Sequence, residues 1–244
     1  LDNRSNEDSI SLNKYIANTG VCSRREADTL IKEGRVTLNG QPTKPGNRVF
    51  AGDVVLVDDK PLLDEPDASY IILNKPPGIV STTDLNEPRN IISFINHDKR
   101  LFTVGRLDMA SQGLIILTND GDIVNKILRA GNAHEKEYIV KVKSPISEEF
   151  VHKMSTGVPI LGTVTKPCLV TQIDDYHFRI TLIQGLNRQI RRMCEFLDYE
   201  ISMIKRTRIM HLTLSGLRIG EWRELSEGEV SVLLEKTAHS SKTN

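Results

Sequence analysis

Cysteine is scarce in this 244-residue chain: Cys22, Cys168 and Cys194 are odd in number and widely spaced. That excludes a disulfide framework and a paired-cysteine zinc site, and it points to a reducing compartment. The six histidines show no ligand spacing, so no metal is expected. No apolar run approaches membrane-spanning length, and no membrane partner is expected. The start, Leu1-Asp2-Asn3-Arg4, does not read as a signal peptide and lacks Met, as a stretch from within a longer chain would. The cytoplasm is the expected location. There is no Gly-rich phosphate loop after a strand, which removes a nucleotide-binding reading, and Ser111 lacks the Gly-x-Ser-x-Gly frame of a nucleophile elbow.

Net charge is also absent, at +0. Its distribution is more informative. Residues 10–57 carry seven basic and four acidic side chains, and residues 186–208 carry six and three. Two basic stretches separated by acidic surface suit a polyanion, although a solvated charged face has the same composition.

What is present reads as two domains of ordinary globular composition. Leu12, Tyr15 and Ile16 predict a short helix. Ser23-Arg24-Arg25-Glu26 predicts a capping box opening a second one, with Ala27, Leu30 and Ile31 inward and Gly34 as its stop. Val36-Thr37-Leu38, the turn signal Asn39-Gly40 and Val54-Val55-Leu56-Val57 predict a hairpin. Residues 10–57 therefore form a helix-helix-hairpin module, which resembles the S4-type RNA-binding domain. Arg24 and Arg25 lie where helix amides also favour phosphate, with Lys14, Lys32 and Arg35 as neighbouring RNA-binding candidates. Residues 58–68 read as a linker, residues 69–237 as a second domain and residues 238–244 as a disordered tail; the first nine residues read as frayed.

In the second domain, strands are expected at Tyr70-Ile71-Ile72-Leu73, 101–104, 114–117, 137–142, 168–173, 177–183 and 207–214. Helices are expected over 89–97, 120–129, 147–155 and 188–197, with a last one capped at Ser226. Neighbouring strands joined by short turns, with helices irregularly interspersed, predict an α+β fold with a mainly antiparallel or mixed sheet. Between two apolar runs sits Gly105-Arg106-Leu107-Asp108, a cation and a carboxylate on a supported loop. A helix dense in arginine, Arg188, Arg191 and Arg192, is the second informative stretch; Arg188 and Arg191 can point together while Ile190, Met193 and Cys194 pack inward.

Four motifs in order, Asn74-Lys75-Pro76-Pro77-Gly78, Gly105-Arg106-Leu107-Asp108, Lys136-Glu137-Tyr138 and residues 185–193, resemble the pseudouridine synthases of the RsuA/RluB/RluE/RluF type. The resemblance spans nearly the whole chain. It implies isomerisation of a uridine already in RNA: the bond from ribose C1′ to N1 breaks, the base turns, and C1′ joins C5, without metal or cofactor. It implies that Asp108 is the catalytic carboxylate, Arg191 its paired cation and Tyr138 the ring that stacks on uracil, its hydroxyl a candidate for handling the C5 proton. Arg106 would enter the stack vacated by the flipped nucleotide, with Arg188 and Arg192 as further RNA contacts. The implied partner is 23S ribosomal RNA or a ribosome assembly intermediate, with transfer RNA as a further candidate and a monomer as the expected state. Two other readings are a non-catalytic, S4-type or ribosome-associated RNA-binding protein and an RNA N-glycosylase using the same carboxylate.

Overall fold

The computed structural model describes residues 9–62 and 66–240. Residues 1–8 of the nine expected to fray, and the last four (241–244) of the expected tail, lie outside them. The chain divides into two compact units, Leu1–Ala68 and Ser69–Asn244.

In chain order the first unit contains β1 (Ile10–Ser11), α1 (Leu12–Asn18), α2 (Arg24–Lys32), β2 (Val36–Leu38), β3 (Gln41–Pro42), β4 (Arg48–Val49), β5 (Val55–Val57) and β6 (Lys60–Pro61). Helix α2 starts where its capping box requires. The Glu26 amide donates to Ser23 Oγ at 3.2 Å, and the Ser23 amide donates to Glu26 Oε2 at 2.6 Å. Leu12, Ile16, Ala27, Ile31, Val36 and Val55 form the buried core. Asn39 and Gly40 both take positive φ, 51° and 74°, as the tight β2–β3 hairpin demands.

The expected linker begins too early. Asp58 and Asp59, at φ 51° and 59°, turn the chain into β6, which pairs with β5. A polar, proline-bearing segment suits an exposed edge strand as well as a linker, because an edge proline removes no ladder bond.

The second unit contains β7 (Tyr70–Lys75), α3 (Ile91–Ile95), β8 (Phe102–Val104), β9 (Gln112–Thr118), α4 (Gly121–Leu128), β10 (Lys136–Val142), α5 (Glu148–Thr156), β11 (Pro159–Ile160), β12 (Thr163–Val164), β13 (Leu169–Gln172), β14 (His177–Leu182), α6 (Gln189–Phe196), β15 (Ile201–Ile209), β16 (Leu212–Thr213), β17 (Trp222–Glu224) and α7 (Glu227–Ala238). Nine strands make one mixed sheet in the order β13-β14-β10-β15-β9-β7-β17, with β16 on β15 and β8 on β9. Every pairing is antiparallel except β15 with β9.

Strands β7 and β9 are near-continuous apolar runs because both their faces are covered. Ile71, Leu73, Ile115 and Leu117 pack with Ile91 and Ile95 of α3. On the opposite face, Ile72, Leu114 and Ile116 pack with Ile123 and Ile127 of α4 and Leu233 of α7. A further core joins Val140, Phe178 and Ile180 to Phe150 and Met154 of α5 and to Met193 and Cys194 of α6.

Three expectations shift. Strand β15 starts at Ile201, six residues before the expected 207, and the chain turns at Met210 (φ 53°) into β16. Lys205, Arg206 and Arg208 obscure the alternation that would have marked it. Arg188, expected within helix α6, precedes it as a left-handed cap at φ 49°. The C-terminal helix runs through Ala238, inside the expected tail. Among the described residues no helix is long and apolar enough to cross a membrane.

Candidate active site

The loop from β8 to β9 is held from within by Leu107 and Ser111. Leu107 is buried; its amide donates to Ser81 Oγ at 3.2 Å, and the Ser81 hydroxyl donates to its carbonyl at 2.9 Å. Ser111, also buried, donates its amide to the Asp108 carbonyl at 2.9 Å. Arg106 and Met109 are exposed, and the Asp108 side chain keeps 34% of its accessibility. The loop thus presents its polar chemistry outward on a fixed backbone.

A brace lies beneath it. Lys75, fully buried, donates through Nζ to the carbonyls of Pro76 (2.8 Å), Ile79 (2.7 Å) and Met109 (3.4 Å). The Gly78 amide also donates to the Met109 carbonyl, at 2.8 Å. The rigid Asn74-Lys75-Pro76-Pro77-Gly78 turn therefore grips the residue next to Asp108. Burial lowers the Lys75 ammonium to about 8, with Arg206 adding to the shift and Asp108 opposing it.

Arg191 comes from the first turn of α6. Its Nε lies 3.1 Å from Asp108 Oδ2, and its Nη2 donates to Ser111 Oγ at 3.2 Å. Contact across 83 residues of sequence requires both the loop and α6 to be placed by the sheet. Ile190, Met193 and Cys194 are buried, as their spacing implied. Arg188 is exposed and does not share a helical face with Arg191. Arg192 folds back, donating to the Asn187 carbonyl at 3.0 Å and to Asn187 Oδ1 at 3.1 Å, so it closes the loop before α6.

Tyr138 is half-buried on β10, opposite Ile180 and Arg206. It packs against the cluster that contains Leu107 and also against the core under α5 and α6. The Arg206 guanidinium carbon lies 6.0 Å from its ring centroid. Arg206 is buried, donates Nε to the Leu114 carbonyl at 2.6 Å and, among the described residues, has no hydrogen-bond partner for Nη2. The parallel β9–β15 joint brings it there, and Gly113 permits the joint: a Cβ at that position would lie 2.2 Å from the Arg206 carbonyl oxygen. Lys136 is buried nearby, lowered to about 8 by burial first and then by Arg206.

Sequence reasoning missed Lys75, Ser81, Ser111 and Arg206 as parts of this site. The rigid proline turn was visible, but its lysine's target 34 residues away was not; Arg206 was hidden with the front half of β15.

In the first unit Arg24, Arg25 and Lys32 are exposed and Lys14 is half-buried. Arg35 is held by Asp58 through Nε (2.7 Å) and Nη2 (2.6 Å), a fork-to-carboxylate pair that fastens the β5–β6 turn. Among the described residues no group of three or more His, Cys, Asp or Glu side chains could hold a metal ion.

A carboxylate braced by an arginine on a loop whose Leu107 shares a cluster with Tyr138, preceded in sequence by a basic helix-helix-hairpin unit, suits an enzyme that modifies nucleic acid. Residues 69–196 match the RNA pseudouridylate synthase family model, and residues 11–55 match the S4 domain. The chain is 57% identical over 239 residues to the dual-specificity RNA pseudouridine synthase RluF of Escherichia coli (strain K12), covering 96% of this chain and 82% of that protein. To ribosomal large subunit pseudouridine synthase B of Bacillus subtilis (strain 168) it is 36% identical over 232 residues, covering 91% and 94%. A crystal structure of a pseudouridylate synthase matches with a TM-score of 0.67 at 28% identity, over 92% of this chain and 99% of the other. The chain belongs to the RNA pseudouridylate synthase family, with an S4 domain at its N-terminal end, and is an RNA pseudouridine synthase.

Proposed function

We propose that Asp108, Arg191 and Tyr138 carry the isomerisation, and that the substrate is a uridine of 23S ribosomal RNA, with transfer RNA as a second substrate. The 3.1 Å pairing of Arg191 Nε with Asp108 Oδ2 is the observation that carries this reading. It holds a half-exposed carboxylate in one direction without burying it.

The flipped uridine brings C1′ to Asp108, whose negative charge stabilises the positive charge developing at that carbon. The C1′–N1 bond breaks and its electron pair stays with uracil. The base turns against the Tyr138 ring, and C5 bonds to C1′. The C5 proton leaves, with the Tyr138 hydroxyl as its first acceptor or relay, and N1 gains a proton. Atoms and electrons balance, so no cofactor is needed. Arg106, exposed two residues before Asp108, stacks in the vacated place at a cost of roughly a few kcal/mol for flipping.

Lys14, Arg24, Arg25 and Lys32 of the S4 domain hold RNA phosphates, with Arg188 at the start of α6 as a further contact. Arg35 and Arg192 shape the elements that present them. The names of the relatives support the choice of substrate: one is dual-specificity, the other acts on the large ribosomal subunit. The enzyme works as a monomer in the cytoplasm.

Asp108→Asn should bind RNA as the wild type does and release no tritium from C5-labelled uridine RNA. Retained turnover overturns the assignment, and an abasic product would make the chemistry glycosylase-like. Mapping pseudouridines in cellular RNA with and without the gene tests the substrate.

A further inference from the structure

At the β17 edge of the sheet an aromatic surface remains that none of the chemistry above uses. Trp222 is 37% exposed and its ring lies 5.6 Å from that of His97, tilted by 57°. Phe94 of α3 is 39% exposed, and its Cζ would lie 3.7 Å from a Cβ added at Gly220, so the ring rests on backbone that has no side chain. Ile219, 57% exposed, borders it. The chain has one tryptophan, and it stands here in the open.

This edge adjoins the strand that leads into the proline turn bracing the active loop. Trp222 sits directly opposite Leu73, so both side chains leave the sheet on the same face, and Leu73 shares its cluster with α3 and with Leu107 of the active loop. The backbone is tied in as well. The Gly220 amide donates to the Asn74 carbonyl at 2.8 Å and the Asn74 amide to the Glu221 carbonyl at 2.9 Å, one residue before Lys75. Glu224 lies 3.9 Å from His97 and is exposed, which disfavours a phosphate there. Flat rings edged by a carboxylate match the face of a base.

We propose that Trp222 and Phe94, with the largely buried His97 ring backing the tryptophan, form a stacking platform for one unpaired base of the substrate RNA flanking the target uridine. Aromatic rings accept any base face, so the platform adds affinity and orientation without reading sequence. The proposal rests on the Asp108 loop being the active site.

Ribosomal RNA from cells lacking the gene, whose target uridine is unmodified, is the probe. Titrated into the wild-type chain it should quench tryptophan fluorescence, which here reports Trp222 alone. Trp222→Ala should raise the RNA concentration giving half-maximal pseudouridine formation about tenfold, more than it lowers the saturated rate. Trp222→Phe should recover most of that loss. Unchanged fluorescence together with unchanged half-saturation in Trp222→Ala overturns the platform and leaves the face to a protein partner. So does a Phe variant that restores the melting temperature but not the affinity. Turnover by Asp108→Asn would instead overturn the placement of the active site.

Discussion

Both units of this protein are rich in cations, and they use them in opposite ways. Around the S4 domain Arg24, Arg25 and Lys32 are exposed, and even the paired Arg35 keeps 48% of its side chain accessible. In the catalytic unit Lys75, Arg206 and Lys136 are 0%, 3% and 6% exposed. An exposed cation in high dielectric gives attraction that salt screens. A buried one is costly unless its donors are taken up, so it fixes whatever carbonyls it binds. The basic pair opening α2 stays in solvent, whereas Lys75 and Arg206 are taken up by carbonyls of their own unit.

The largest break should come from the joint that brings Arg206 in. Gly113→Ala places a Cβ 2.2 Å from backbone oxygen at φ +111°, and a loss above about 4 kcal/mol is expected. Urea melts would measure it, and a variant within about 1 kcal/mol of wild type would mean the joint opens easily.

Next, Arg191→Met removes the cation at Asp108 and the bond to Ser111, and turnover should fall about 10²–10³-fold with a smaller change in RNA affinity. Arg191→Lys should recover part of it, since a point charge replaces a fork. Full single-turnover rates in the Met variant would show that Asp108 needs no partner.

Lys75 tests the buried class through pH. Its folded value, about 8, lies below the usual 10.5, so between those values the unfolded chain binds more protons and stability rises with pH. That contribution is fully present above 10.5 and lost as pH falls through about 8. The stability difference between wild type and Lys75→Met should therefore grow in favour of wild type from about pH 8 to pH 10. A flat difference would mean the ammonium is solvated. The smallest effect belongs to the exposed class: Arg24→Gln with Arg25→Gln should weaken RNA binding several-fold, mostly in half-saturation, and lower the salt dependence by about 2 in slope. An unchanged slope would separate that helix from RNA.

Much of the fold was legible locally. The capping boxes at Ser23 and Ser226, the Asn39-Gly40 turn and the apolar runs of β7 and β9 appear where patterning put them. The misses share a cause. Strand β15 carries Lys205, Arg206 and Arg208 between β10 and β9, both distant in sequence, so its charges looked like surface. Asp58-Asp59-Lys60-Pro61 has the composition of a linker because an exposed edge and a linker meet the same solvent.

By itself the sequence determined the element types, their caps and the motifs that carry Asp108, Tyr138 and Arg191, because these depend on contacts within a turn or two and on short strings of residues. Tertiary structure alone decided that Arg191 reaches Asp108 at 3.1 Å, that Lys75 binds the Met109 carbonyl, and that Arg206 lies behind Tyr138. Each of these joins segments tens of residues apart. The single parallel pairing in the sheet, made possible where Gly113 leaves room for Arg206, sets the last of them; no local periodicity encodes which strand lies next to which.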